Sequence, residues 1–223
     1  GNMAEVTIRI LDGADRGRTY DELPTPVTIG REEGNDIQLN DERVSRYHIK
    51  IQEDHEKLVL TDLQSTNGTK VNGEEMQLRI LRHGDMITVG RSVLLFGRPD
   101  EIAHRLARLR GALNETGNGS KVDIPSSFSL EDELSLCEDT DAQATLHTLD
   151  VPDLPERMTP GQAAQLSEVL EYLHIRMRQL IASVQCNEKQ ERVTLDFRQW
   201  QNLLDLQGKL ADYLREIGDP EEE

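Results

Sequence analysis

Five polar residues that could bind a ligand stand in three short stretches of this 223-residue chain: Arg31, the pair Ser45-Arg46 and the pair Thr66-Asn67. They offer two guanidinium groups, two hydroxyls and a carboxamide, which means one or two fixed cations and several hydrogen-bond donors. No nucleophile–base set, phosphate-cradling glycine loop followed by lysine, or Cys/His cluster with metal-ligand spacing accompanies them. These residue types predict binding rather than catalysis, and we expect no metal and no cofactor.

Runs that alternate apolar and polar residues flank the polar residues, for example His48-Ile49-Lys50-Ile51 and Lys57-Leu58-Val59-Leu60. Alternation with period two is the pattern of a strand with one buried face. The polar residues fall where such runs stop, so we expect them on loops at strand ends. Many short runs separated by turns predict an all-β sandwich over residues 1–99.

Four separated elements resemble the motifs of the forkhead-associated (FHA) domain. They are Gly30-Arg31, Ser45-x-x-His48, Thr66-Asn67-Gly68-Thr69 and Asn72-Gly73. The resemblance implies a β-sandwich that binds phosphothreonine through its loops. It therefore implies a phosphothreonine-dependent signalling adaptor in a Ser/Thr kinase pathway, whose partner is a phosphothreonine-containing protein, either the kinase or its substrate.

Three residues of the first two motifs are candidate phosphate ligands by this resemblance. The planar fork of Arg31 can bind two phosphate oxygens at once, and Ser45 can donate its hydroxyl. Arg46 lies at the rim in the family and could add a second cation. The alternatives are an ordinary surface arginine at position 31, a turn serine at 45 and a solvated rim arginine at 46.

Three further residues complete the expected phosphopeptide-binding set. Thr66 can offer its hydroxyl and backbone N–H to phosphate, and the Asn67 amide can hold the main chain of the ligand. The family often places a ligand-contacting asparagine at the position of Asn72. A pure turn role is the alternative for Asn67 and Asn72.

The remaining motif residues have structural roles by the same resemblance: Gly30, His48, Gly68, Thr69 and Gly73. His48 invites a catalytic interpretation, but it has no partner set, and in the family this histidine supports nearby loops. Gly68 supplies the positive φ that an Asn-Gly turn needs.

The chain after residue 99 changes character twice. Residues 100–114 carry apolar residues at helical spacing and predict an amphipathic helix. Residues 115–158 are acidic and predict a flexible linker, with a short helix near 130–136. Thr140, Thr145 and Thr148 are candidate phosphorylation sites in this linker.

Residues 159–218 predict a helical hairpin, followed by an acidic tail over 219–223. Leu166, Leu170, Leu173, Met177, Leu180 and Val184 recur at intervals of 4, 3, 4, 3 and 4, which is a heptad seam. One helical pair has little core to offset its chain entropy. We therefore expect a homodimer through 159–218.

The net charge of −17 argues against a general nucleic-acid or anionic-membrane binder, because phosphate backbones require a basic face. No apolar run has the character of a signal peptide or a membrane span, so we expect a cytoplasmic protein. Cys137 and Cys186 are too few for a disulfide framework, and we expect reduced thiols.

Two alternatives to the adaptor stay open. In one, a phosphorylated linker threonine occupies the chain's own pocket, so that the protein is a self-regulating kinase substrate. In the other, the sandwich is a structural scaffold that binds no phosphopeptide.

Overall fold

The computed structural model describes residues 4–115 and 140–219, with side chains over 4–111 and 140–219. These residues divide into two compact units, one that contains the chain up to Leu149 and one over Asp150–Ile217. The first unit is a β-sandwich and the second is a helical hairpin, so the predicted fold class is confirmed. The short helix predicted near 130–136 lies outside the described residues.

One sheet of the sandwich has six strands in the order β2-β1-β11-β10-β7-β8. Their bounds are β1 Glu5–Asp12, β2 Thr19–Pro24, β7 Thr69–Val71, β8 Glu74–Met76, β10 Met86–Val89 and β11 Ser92–Phe96. The other sheet has five strands in the order β4-β3-β5-β6-β9. Their bounds are β3 Val27–Gly30, β4 Ile37–Gln38, β5 Ile49–Asp54, β6 Lys57–Asp62 and β9 Leu78–Ile80.

Alternate residues of both sheets form the core between them. The fully buried side chains include Ile8, Ile10, Ile29, Ile49, Ile51, Leu60, Ile87, Leu94 and Phe96. This is the period-two pattern that the sequence shows, with one face of each strand turned inwards.

The strand register places the polar loops at one end of the sandwich. Ile29 pairs with Ile49 and Ile49 pairs with Asp62, so β3 and β6 end where β5 begins. Thr69 pairs with Val89, so β7 begins where β10 ends. Thr69 Oγ1 donates to Asp62 Oδ2 at 2.5 Å and joins the two sheets there. We call this end, with the β3–β4, β4–β5, β6–β7 and β10–β11 loops, the loop end.

Two helices lie at the opposite end of the sandwich. Helix α1 (Pro99–Glu115) follows directly after β11, which runs away from the loop end. Leu95 points away from the core, and Ile102 and Leu106 of α1 cover it. Helix α2 (Thr140–Leu146), inside the segment expected to be a flexible linker, adds Ala142 and Leu146 to the same apolar cluster.

The second unit consists of α3 (Pro160–Ser183) and α4 (Phe197–Gly218). Thr159 caps α3 through a reciprocal capping box with Gln162 and is followed by Pro160 at the first helical position. Asp196 Oδ1 accepts from Gln199 N at 2.8 Å at the start of α4. The link between the helices contains a small β-hairpin, β12 (Gln185–Asn187) and β13 (Arg192–Thr194), which the sequence analysis did not predict.

Candidate functional site

The β3–β4 loop begins with Gly30 and Arg31, and it lies against the backbone of the β4–β5 loop. Arg31 N donates to Ser45 O at 3.0 Å, and Glu32 N donates to Arg46 O at 3.1 Å. A Cβ atom on Gly30 would stand 2.1 Å from Arg46 O. Only glycine permits this approach, which brings Arg31 beside Ser45 and Arg46.

The β4–β5 loop carries Ser45 and Arg46 and is anchored in the core. Val44 is buried between the exposed Arg43 and the half-buried Ser45. Val44 therefore fixes the chain direction, so that its neighbours face solvent at the loop end. The guanidinium of Arg46 stands 3.7 Å from Glu32 as an exposed ion pair.

Thr66 and Asn67 of the β6–β7 loop meet the β4–β5 loop directly. Thr66 N donates to Ser45 Oγ at 3.1 Å, and Asn67 Nδ2 donates to Arg43 O at 2.8 Å. Because Ser45 Oγ accepts here, its O–H remains available to donate. Asn67 Oδ1 likewise makes no hydrogen bond within the described residues and remains available to accept one.

His48 connects the β4–β5 and β6–β7 loops from beneath. It is fully buried, its Nδ1 accepts from Ser45 N at 3.0 Å, and its Nε2 lies 2.9 Å from Gly68 O. Because a backbone N–H can only donate, Nδ1 must be the acceptor, so the ring proton is on Nε2 and is donated to Gly68 O. The side chain holds the loops at a fixed separation and does not face the solvent.

The turn of the β6–β7 loop is closed around Asp62. Ser65 N and Ser65 Oγ donate to its two carboxylate oxygens at 2.8 and 2.6 Å, and Thr69 Oγ1 donates to the second. Gly68 N donates to Ser65 Oγ at 3.0 Å, and Gly68 has φ +78°. The positive φ favours glycine at this position, and Thr69 is buried beneath the turn.

Asp41 links the β4–β5 loop to the β10–β11 turn. It accepts from Arg43 N at 2.9 Å, from Arg91 N at 2.8 Å and from Ser92 Oγ at 3.0 Å. Burial opposes ionisation of this carboxyl, but the hydrogen bonds from Arg43, Arg91 and Ser92 outweigh it and lower the pKa of Asp41. Asp41 therefore holds Arg43, whose carbonyl in turn holds Asn67.

Asn72 does not join the other predicted ligand-binding residues. Its Nδ2 donates to Asp85 Oδ1 at 3.0 Å, and its Oδ1 accepts from Met86 N at 2.9 Å. Both ends of the amide are used at the start of β10, away from the loop end. The predicted ligand contact is therefore corrected to a turn role, with Asn72 and Gly73 both at positive φ.

The site thus brings together five of the six predicted ligand residues: Arg31, Ser45, Arg46, Thr66 and Asn67. It also contains three positioning residues that the sequence analysis missed, Asn35, Asp41 and Asp62. Asp62 follows a predicted strand and precedes a serine, so an Asx-turn signal was available in the sequence. Nothing local in the sequence indicates the contact of Asn35 with Arg46 O or the contacts of Asp41 with Arg91 and Ser92.

The arrangement offers a guanidinium without an ion pair in the described part of the chain, two hydroxyls and one amide acceptor. This set can hold an anion and an adjacent peptide backbone. Within residues 4–115 and 140–219, no group of three or more His, Cys, Asp or Glu side chains is placed to hold a metal ion. No described helix combines the length and the apolar character that a membrane span requires.

Comparisons with known proteins point to one family. The FHA domain family model matches residues 27–90. FhaA, an FHA domain-containing protein of Mycobacterium tuberculosis, is 40% identical over 90 residues, which cover 40% of this chain and 17% of FhaA. The glycogen accumulation regulator GarA of the same species is 36% identical over 69 residues, covering 31% of this chain and 43% of GarA. The chain therefore spans less than half the length of either relative.

A solved structure from an analysis of phosphothreonine-dependent FHA domain interactions is 38% identical. The match covers 42% of this chain and 96% of that chain, with a TM-score of 0.39. The family match over residues 27–90 and the identity to FhaA coincide with the sandwich described above. The N-terminal β-sandwich, which contains the matched residues 27–90, is therefore an FHA domain.

Proposed function

We propose that the FHA domain binds phosphothreonine-containing segments of other proteins, as a non-catalytic adaptor in a Ser/Thr kinase pathway. The observation that carries this is the meeting of Arg31, Ser45, Thr66 and Asn67 at one end of the sandwich. Each retains a hydrogen-bond donor or acceptor that has no partner within the described residues. A phosphothreonine carries close to two negative charges and three acceptor oxygens, which match this set.

A degenerate phosphothreonine peptide library, with phosphoserine and unphosphorylated versions as controls, tests the proposal on the full chain. Arg31→Ala removes a guanidinium that can make two charge-assisted hydrogen bonds, each about 1.5–3 kcal/mol. We therefore expect a loss of affinity of at least about 100-fold. Arg108→Ala is the matched control, because Arg108 is an exposed arginine on α1 at the opposite end of the sandwich. Equal binding of phosphorylated and unphosphorylated peptides would refute the proposal and favour a structural scaffold.

The helical hairpin is proposed to form a homodimer. The heptad seam is incompletely covered within one chain, because Leu170 and Met177 are 46% and 50% exposed. On α4, Leu204, Leu214 and Ile217 are exposed as well. A second copy that buries these side chains would give two FHA domains per assembly and avidity for multiply phosphorylated partners. Light scattering at micromolar concentration tests this, and a monomer would rule it out.

The self-regulating alternative, in which a phosphorylated linker threonine occupies the chain's own pocket, requires helix α2 to move. Leu146 lies against Gly84, and His147 Nε2 lies 3.2 Å from Gly84 O, so α2 sits at the end opposite the pocket. A phosphorylated Thr145 or Thr148 could reach the loop end only after α2 has left this position. If the kinase-phosphorylated chain still binds an external phosphopeptide at full strength, closure by its own linker does not occur.

A further inference from the structure

We propose that Asn35 is a positioning residue for the phosphate pocket, which sets the place of the Arg31 guanidinium relative to Ser45. The inference rests on the proposed function, since it concerns the same pocket. Asn35 lies in the β3–β4 loop and is 8% exposed. It belongs to neither the strand core nor the set of residues that face the ligand.

The carboxamide of Asn35 ties together the two chain segments that carry the ligand residues. Nδ2 donates to Glu32 O at 2.8 Å and to Arg46 O at 2.7 Å. Glu32 follows Arg31 directly, and Arg46 follows Ser45 directly. One planar group with two N–H bonds therefore fixes both neighbours of the proposed phosphate ligands.

We call the place where the β3–β4 and β4–β5 loops meet around Arg46 O the joint. Backbone groups surround this oxygen on its other sides. Glu32 N donates to the same oxygen, and a Cβ on Gly30 would stand 2.1 Å from it and 2.8 Å from Asn35 Nδ2. Asn35 bridges these segments through a buried side chain, whereas the ion pair between Arg46 and Glu32 is exposed. Removal of the Asn35 amide therefore loosens the joint without removing a ligand contact. The backbone of Arg31, from which the exposed guanidinium extends, would then lose its fixed position relative to Ser45, although the Arg31 side chain is unchanged.

The oxygen of the Asn35 carboxamide indicates that the residue is not optimal for stability. Its Oδ1 is buried and has no hydrogen-bond partner within the described residues. A buried acceptor without a partner opposes folding. Turning the amide over would not help, because Oδ1 would then face two carbonyl oxygens. Replacement by alanine removes the unpaired acceptor together with two hydrogen bonds, so we expect it to impair binding more than stability.

A double-mutant cycle on the full chain tests positioning, with a phosphothreonine peptide selected from a degenerate library by the wild-type chain. We expect Asn35→Ala to weaken binding at least about tenfold. Arg31→Lys should cost at least about tenfold in the wild-type background and less than about threefold beside Asn35→Ala, because coupled residues are not additive. Asn40→Ala is the matched control, since Asn40 Nδ2 donates to Asp15 Oδ1 at 2.8 Å away from the joint.

Equal costs of Arg31→Lys in both backgrounds would overturn the inference, because Asn35 would then not act through Arg31. Hydrogen exchange supplies a second measurement that needs no ligand. In Asn35→Ala the amides of Arg31 and Glu32 should exchange faster while those of Ile49 and Ile51 stay protected. Uniformly faster exchange across the sandwich would show a general stabilising role and overturn the inference. Failure of the wild-type chain to bind any phosphothreonine peptide would refute the proposed function, and exchange would still decide whether Asn35 holds the joint.

Discussion

Replacement of His48 by alanine is expected to destabilise the FHA domain severely. The variant leaves Ser45 N–H and Gly68 C=O without their partner beneath the loops. A buried backbone group without a partner costs about 1–3 kcal/mol, and the vacated ring volume adds to this. The two groups and the cavity together cost at least ~3 kcal/mol. The total stability of an ordinary domain is ~5–15 kcal/mol.

Calorimetry on the full chain measures this effect. For a domain of this size, each kcal/mol lowers the melting temperature by roughly 4–8 °C, so we expect a decrease of at least about 12 °C. Hydrogen exchange on the same sample assigns the shifted transition to the sandwich rather than to the helical hairpin. Phosphopeptide affinity should fall as well, because both ligand-binding loops lose their common support.

The control for His48 is His55→Asn. The side chain of His55 is 75% exposed, and its φ of 47° is one that asparagine adopts readily. We expect the free energy of unfolding of the His55→Asn variant to stay within about 0.5 kcal/mol of the wild-type value. If His48→Ala is equally mild, the loops do not depend on the imidazole, and the interpretation of His48 as a support is wrong.

Three further outcomes follow from the same geometry. Gly30→Ala places a Cβ 2.1 Å from Arg46 O, so peptide binding should be lost. Gly17→Ala has a φ of +93° but open space around its Cβ, so it measures the cost of backbone strain without a steric clash. Asp41, whose folded pKa is below its ordinary value, contributes stability above that value and loses it as the pH falls through the folded pKa. The stability difference between wild type and Asp41→Asn in urea titrations should therefore shrink as the pH falls below about 4. Leu146→Glu should release α2 and increase proteolysis near Leu146 without changing phosphopeptide affinity, and an unchanged cleavage pattern would contradict the packing of α2 on α1.

The local sequence predicted most of the elements and most of the residues that meet at the candidate site. Period-two alternation predicted the strands around Ile49 and Leu60, since a strand between core and solvent must alternate. Arg31, Ser45 and Thr66 were predicted to lie on loops because they stand where the alternating runs stop. The apolar residues that would bury a strand are absent there. Thr159 before Pro160 likewise predicted the start of α3, because a helix must satisfy its first N–H groups locally.

The sequence by itself therefore determined the sandwich, helix α1, the helical hairpin and the residue types of the site. Only the tertiary structure decided which polar groups remain available for a ligand. Asn67 and Asn72 stand in similar Asn-Gly turns, yet Asp85 and Met86 occupy the amide of Asn72 alone. Asp41 meets Ser92 across 51 positions of sequence. Hydrogen bonds of this kind depend on which strands lie side by side. Sheet pairing brings together residues that are far apart in the sequence, and the local pattern around one residue does not predict its distant partner.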